Sequence, residues 1–146
     1  MISRRLFLLL PSLLLWRTSA ANPQAMREAI AKVTKGAAIR TGRVSIEVPP
    51  LVENGNTVPL TVSVESPMSE ADHVRAIHVF TEKNPQPYVI SAWLGPRAGR
   101  ARLATRVRIA DSQTVTAIAE MSDGSFWQDR VPVVVTLSAC LEEGLI

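Results

Sequence analysis

Residues 42–69 read GRVSIEVPPLVENGNTVPLTVSVESPMS, and apolar and polar side chains alternate through them with a period of two. Val44, Ile46 and Val48 fall on one face, and Leu60, Val62 and Val64 repeat the pattern. Successive side chains of a β-strand point to opposite faces, so this alternation predicts strands with one buried side. The clusters ENGNT (53–57) and SPMS (66–69) supply the turn residues that end each run.

The pattern extends outward from this stretch. Leu103, Thr105, Val107 and Ile109 alternate, as do Val131, Val133, Val135 and Leu137. HVRAIHVF (73–80), YVISAWL (88–94) and TVTAIAEM (114–121) are further strand candidates. EKNPQP, GPRAG, ADS and SDGS punctuate them. Short strands with turns this regular predict an all-β chain, an immunoglobulin-like antiparallel β-sandwich. The Cys…Trp…Cys pattern of true immunoglobulin domains is missing, because the sequence holds one cysteine. Upstream, NPQAMREAIAKVTKG (22–36) predicts one short N-terminal helix. Asn22 caps it, Pro23 suits its first position and Gly36 closes it. Met26, Ala29, Ile30 and Val33 form a stripe at helical spacing, expected to pack on the domain's own body.

The chain opens with MISRRLFLLLPSLLLWRTSAANPQ. Arg4 and Arg5 precede an apolar run to Trp16, and Thr18, Ser19, Ala20 and Ala21 follow as small residues. This is the layout of a bacterial export signal, and Ser3-Arg4-Arg5-Leu6-Phe7-Leu8 resembles the twin-arginine type. The apolar run is short for a bilayer span and Arg17 closes it, so no stable membrane anchor is expected. Residues 1–20 hold three of the 16 basic residues and none of the 13 acids, so the rest of the chain is balanced at 13 of each. No basic face is left to argue for nucleic acid.

Candidate chemistry is sparse. His73 and His78 are the only histidines and, five apart on a strand, would face opposite sides, so no metal site is expected. No nucleophile elbow, zinc-protease helix or phosphate loop appears. Asp111, Glu120, Asp123 and Asp129 read as turn residues and strand-surface charges. Trp93, Phe126 and Trp127 are expected to pack inside or anchor an interface. The single cysteine, Cys140, lies in the tail VTLSACLEEGLI, six residues from Ile146. An odd cysteine in an exported chain points to an intermolecular bond or a working thiol. The bland alternative is a small buried hydrophobe, against which stands a position beyond the last strand, where burial is hard to enforce.

Five segments then carry a resemblance: Val52-Glu53-Asn54-Gly55-Asn56-Thr57-Val58-Pro59, Val64-Glu65-Ser66-Pro67-Met68, and Ile77-His78-Val79-Phe80-Thr81-Glu82-Lys83-Asn84-Pro85. Two more follow, Thr105-Arg106-Val107-Arg108-Ile109-Ala110-Asp111-Ser112-Gln113 and Ala119-Glu120-Met121-Ser122-Asp123-Gly124-Ser125-Phe126-Trp127. In this order, behind a twin-arginine-like signal, they resemble the SoxY family, sulfur-carrier subunits of the Sox thiosulfate-oxidising system. The resemblance implies a periplasmic, non-enzymatic carrier that needs no cofactor of its own and pairs with a SoxZ-like β-sandwich subunit as a heterodimer. It also implies that a cysteine on a C-terminal arm takes up thiosulfate through a SoxXA-like haem cytochrome. The adduct then visits a SoxB-like sulfate-releasing hydrolase and, in some organisms, a sulfur dehydrogenase. Cys140 stands at the matching place. The implied division is an export signal at 1–20, a SoxY-like domain at 21–137 and a carrier arm at 138–146.

The arm departs from the family pattern. Glycines usually flank the cysteine and give the arm its permissive backbone. Here Ser138 and Ala139 precede it, and Leu141, Glu142, Glu143 and Gly144 follow. The two acids disfavour a thiolate and repel an anionic substrate. Three readings stay open: altered partner enzymes, a tail that docks until a partner binds, or a diverged subunit that binds partners without carrying sulfur. Dimerisation through Cys140 is a further alternative.

Overall fold

The computed structural model describes residues 22–137. The export-signal reading and the arm residues Ser138, Ala139, Cys140, Leu141, Glu142, Glu143 and Gly144 lie outside the described residues. The helix forms where the capping residues predict it, as α1 (Pro23–Thr34). Asn22 Oδ1 accepts the Gln24 amide, Pro23 occupies the first turn, and Lys35 (φ 53°) and Gly36 (φ 77°) turn the chain out in left-handed conformations. Asn22→Ala should therefore lower the unfolding free energy by about 1 kcal/mol in urea titrations.

Among the described residues nine strands follow: β1 (Ile39–Thr41), β2 (Val44–Glu47), β3 (Leu51–Asn54), β4 (Val58–Val64), β5 (Val74–Thr81), β6 (Tyr88–Trp93), β7 (Arg102–Val107), β8 (Gln113–Met121) and β9 (Phe126–Leu137). The larger sheet runs β1-β9-β8-β5-β6, with β3 also on β9, and the smaller runs β2-β4-β7. Most pairs are antiparallel, as the immunoglobulin-like reading requires. The exceptions are β1 and β3, which each lie parallel to β9 at opposite ends of that long strand. Between them the chain crosses to the smaller sheet as β2, and the Asp129 carboxylate meets the crossing by accepting the Ile46 amide at 3.0 Å. Gly42 (φ 113°) makes the first crossing, where a Cβ would meet the Trp127 ring at 3.6 Å.

The alternating residues of the opening stretch meet those of the larger sheet between the two layers. Val44, Ile46, Leu60 and Val62 pack against Ile77, Val79, Val115, Ala117 and Val133. Burying each of the larger side chains stabilises the fold by about 1.5–3 kcal/mol. The stripe on α1 covers the outer face of the larger sheet instead, where Met26 packs with Phe80, Ile118 and Phe126, flanked by Ala29, Ile30 and Val33. Central strands β5 and β8 are thus buried on both faces, which explains their near-continuous burial.

Of the tryptophans, Trp127 is half-buried, with the Arg40 and Arg43 guanidinium groups 5.5 and 5.4 Å from its ring centre. Trp93 departs from the expectation of an interior position. It ends β6, the edge strand of the larger sheet beyond the reach of α1, and is 72% exposed. Among the described residues no helix is long and apolar enough to cross a membrane.

Candidate functional site

The last strand delivers the chain to one end of the sandwich, and three loops close around its departure. Gln113 on β8 opposes Val133, and β3 runs alongside from Leu51 opposite Val134 to Asn54 opposite Leu137. Past Asn54 the turn takes over, as the Gly55 amide donates to the Leu137 carbonyl at 3.2 Å. The Gly55 carbonyl in turn accepts the Ile109 amide at 2.8 Å. From the other side, the Ser112 hydroxyl accepts the Val135 amide at 2.9 Å and donates to the Val135 carbonyl at 3.3 Å. Thr136 adds a hydroxyl bond to the Glu53 carbonyl.

The loop between β7 and β8 has no regular structure to satisfy its backbone, so side chains must do so. Asn84 does most of it. Its amide nitrogen donates to the Arg108 carbonyl at 2.8 Å, and its Oδ1 accepts from the Ala110 amide at 2.9 Å and from Gln113 Nε2 at 3.0 Å. Gln113 Oε1 then accepts the Lys83 amide at 2.7 Å. Asn84 is 9% exposed and Gln113 6%. A buried, mutually hydrogen-bonded amide pair of this kind rigidifies its surroundings. Arg108 lays Nε and Nη2 on Asn56 Oδ1 at 3.1 and 2.9 Å, and Lys83 meets Asp111 at 3.6 Å. The Lys83–Asp111 pair is half-exposed and adds little stability. Residues 53–57, 82–87 and 108–113, far apart in sequence, thus form one polar platform around the end of β9 at Leu137.

The arm residues singled out from the sequence lie outside this description, so the structure supplies their point of departure. Asn84, Ser112 and Gln113 were not recognised as site residues. In sequence they read as turn punctuation, although each sits inside a segment that carries the family resemblance.

The histidines are not brought together. His73 precedes β5 and faces the Ser69 carbonyl at 3.0 Å, while His78 is buried on the outer face of the larger sheet. Among the described residues no cluster of three or more potential ligands could hold a metal ion. His78 Nδ1 lies 2.7 Å from the Tyr88 hydroxyl, and the Trp93 ring stands edge-on at 5.8 Å. Burial lowers its pKa below 6.5, and the nearby Glu120 carboxylate opposes the shift. The unfolded chain therefore takes up this proton at higher pH than the folded one. His78 contributes no penalty above its unfolded pKa, and stability falls as the pH drops from about 6.5 toward the folded value. In urea titrations between about pH 7.5 and pH 5, wild type should lose stability on acidification and His78→Gln should show a flatter profile. Parallel profiles would locate the acid sensitivity elsewhere.

A family model described as "Sulfur oxidation protein SoxY" matches residues 30–140, most of the chain and all three platform loops. The chain belongs to the SoxY family. Among solved structures, the sulfur carrier protein SoxY from Chlorobium limicola f thiosulfatophilum is 26% identical, with a TM-score of 0.66, covering 78% of this chain and 98% of that one. Superoxide reductase (neelaredoxin) from Ignicoccus hospitalis aligns at 21% identity and a TM-score of 0.58, over 80% of this chain and 95% of that one. Superoxide reductase from Nanoarchaeum equitans aligns at 12% and 0.56, over 66% of this chain and all of the other. These two likenesses concern the sandwich fold alone. No curated protein sequence matches the chain. Membership of SoxY supports a carrier role in sulfur oxidation.

Proposed function

We propose that this SoxY protein is an exported, periplasmic sulfur carrier that holds thiosulfate-derived sulfur covalently on Cys140. The observation that carries the reading is the platform. Leu137 is anchored to Gly55, and Cys140, three residues on, lies within about 11 Å of it by chain length alone. A thiol on a short tether at the end of a rigid body can be offered to the buried active sites of other proteins, which a sheet face cannot enter.

Loading joins the Cys140 sulfur to the terminal sulfur of thiosulfate. Two electrons pass to a SoxXA-like haem cytochrome and the thiol proton goes to solvent. Hydrolysis by a SoxB-like enzyme then releases sulfate and leaves a persulfide on Cys140. Sulfur–sulfur bonds hold cargo covalently and remain exchangeable. In this scheme residues 138–146 form the arm, with Ser138, Ala139 and Gly144 supplying freedom around the thiol, and a SoxZ-like subunit completes the carrier.

The test is the intact mass of protein purified from its own periplasm, with and without reductant. A reductant-labile increment of sulfur atoms or one thiosulfate unit, mapped to Cys140, supports the carrier. The second reading, a diverged subunit that binds partners without carrying sulfur, draws on Leu141 and Glu142 standing where the family typically has glycines, with a second acid at Glu143. It predicts an unmodified mass even after incubation with thiosulfate and the cognate cytochrome.

A further inference from the structure

At the opposite end of β9 from the arm, the last turn of α1 and the outer face of the larger sheet enclose a groove of about 770 Å³. Lys32 and Lys35 line one side, Tyr88 and Trp93 the other, and His78 and Phe126 lie beneath. Trp93 and Tyr88 leave much of their ring surface exposed there, at 72% and 38%. Arg75 and Glu120 also line the groove and satisfy each other at 3.5 Å. Lys32 and Lys35 have no ion-pair partner among the described residues. His78 Nε2 is buried without a hydrogen-bond partner among them, although its residue is 1% exposed. A buried polar atom left in that state is costly. With the Tyr88 hydroxyl donating to Nδ1, the proton sits on Nε2, enclosed beneath the groove. The groove therefore presents excess positive charge beside an aromatic wall, which suits a carboxylate next to an apolar side chain.

The chain contains such a segment. Leu141-Glu142-Glu143 places an apolar residue before two acids. It cannot reach the groove of its own molecule. The 12 residues of β9 separate Phe126, beneath the groove, from Leu137 by about 35 Å, whereas Glu143 lies within about 21 Å of Leu137. We propose that the groove binds the Leu141-Glu142-Glu143 segment of a second copy, with Glu142 and Glu143 facing Lys32 and Lys35 and Leu141 against Trp93. This gives the acids beside Cys140 a role in docking. The contact needs no sulfur on Cys140, so its failure would leave the carrier reading standing.

The test titrates a synthetic peptide of residues 138–146 with Cys140→Ser into the full chain carrying the same substitution, at low salt, followed by NMR. The substitution removes disulfide exchange as a source of binding. Saturable shifts at the Trp93 indole and at the amides of residues 32–37 are expected. The same peptide with Glu142→Gln and Glu143→Gln added should bind about tenfold more weakly, as should the Cys140→Ser peptide with both acids intact to the exposed-site variant Lys32→Glu/Lys35→Glu. Pairing that variant with a Glu142→Lys/Glu143→Lys peptide should restore binding. No saturable binding, equal affinity for the neutral peptide, or shifts outside the groove would overturn the proposal.

Discussion

Cys140→Ser is expected to abolish sulfur loading completely and to leave the unfolding transition where it is. A serine oxygen cannot form the exchangeable sulfur–sulfur bond that the proposed cargo linkage requires. The hydrogen bonds that fix the departure of the last strand run among Glu53, Gly55, Asn84, Ile109, Ser112, Gln113 and β9, and none needs the thiol. The measurement pairs intact mass after exposure to thiosulfate and cytochrome with urea denaturation of the same sample. A labile increment retained in the variant would remove Cys140 as the attachment site. A large loss of stability would instead identify the cysteine as a buried packing residue.

Asn84→Ala should have the largest effect on stability among substitutions at the platform, about 3 kcal/mol. Alanine would remove the acceptor of the Ala110 amide and the Gln113 side-chain amide and the donor to the Arg108 carbonyl, all bound to Asn84 within 3.0 Å. Each stranded buried group costs about 1–3 kcal/mol, and partial rehydration reduces the sum. The urea midpoint should fall markedly with little change in slope. Lys83→Ala next to it should change stability by less than about 1 kcal/mol, because it removes a half-exposed ion pair. A loss below about 1 kcal/mol for Asn84→Ala would mean that water replaces the amide at little cost. A fully stable variant that loads sulfur slowly would be the reverse outcome, with the amide orienting the arm root and not holding the fold.

Most elements were legible in the sequence. Period-two alternation within and after Gly42–Ser69 located β2, β4, β7 and β9, and the other strand candidates located β5, β6 and β8. Asn22, Pro23 and Gly36 bounded the helix, whereas β1 and β3 were not marked, and Glu53 and Asn54, read as turn residues, end β3. Two placements were not legible, for a shared reason. β5 and β8 are covered on both faces, so HVRAIHVF and TVTAIAEM show little alternation, and nothing local told which face of the sheet His78 would join. Trp93 carries the strongest apolar signal in YVISAWL, yet it is exposed because β6 is an edge strand past the end of α1. Edge position depends on strand order, which composition does not record. The parallel pairs of β1 and β3 with β9 escaped notice for the same reason.

Of the candidate site, the sequence alone singled out the lone thiol at position 140 and, through five ordered segments, the family to which the chain belongs. Those signals are local or linear: residue type, spacing and order along the chain. Only the tertiary structure joined Gly55, Asn84, Ser112 and Gln113 into one support at the end of β9, and only it set Lys32, Lys35 and Trp93 around a groove at the other end. Both arrangements follow from the order β1-β9-β8-β5-β6, which is fixed by burying two sheets and a helix against one another. Packing energy of that kind belongs to pairs of residues distant in the chain, so no stretch of sequence read by itself contains it.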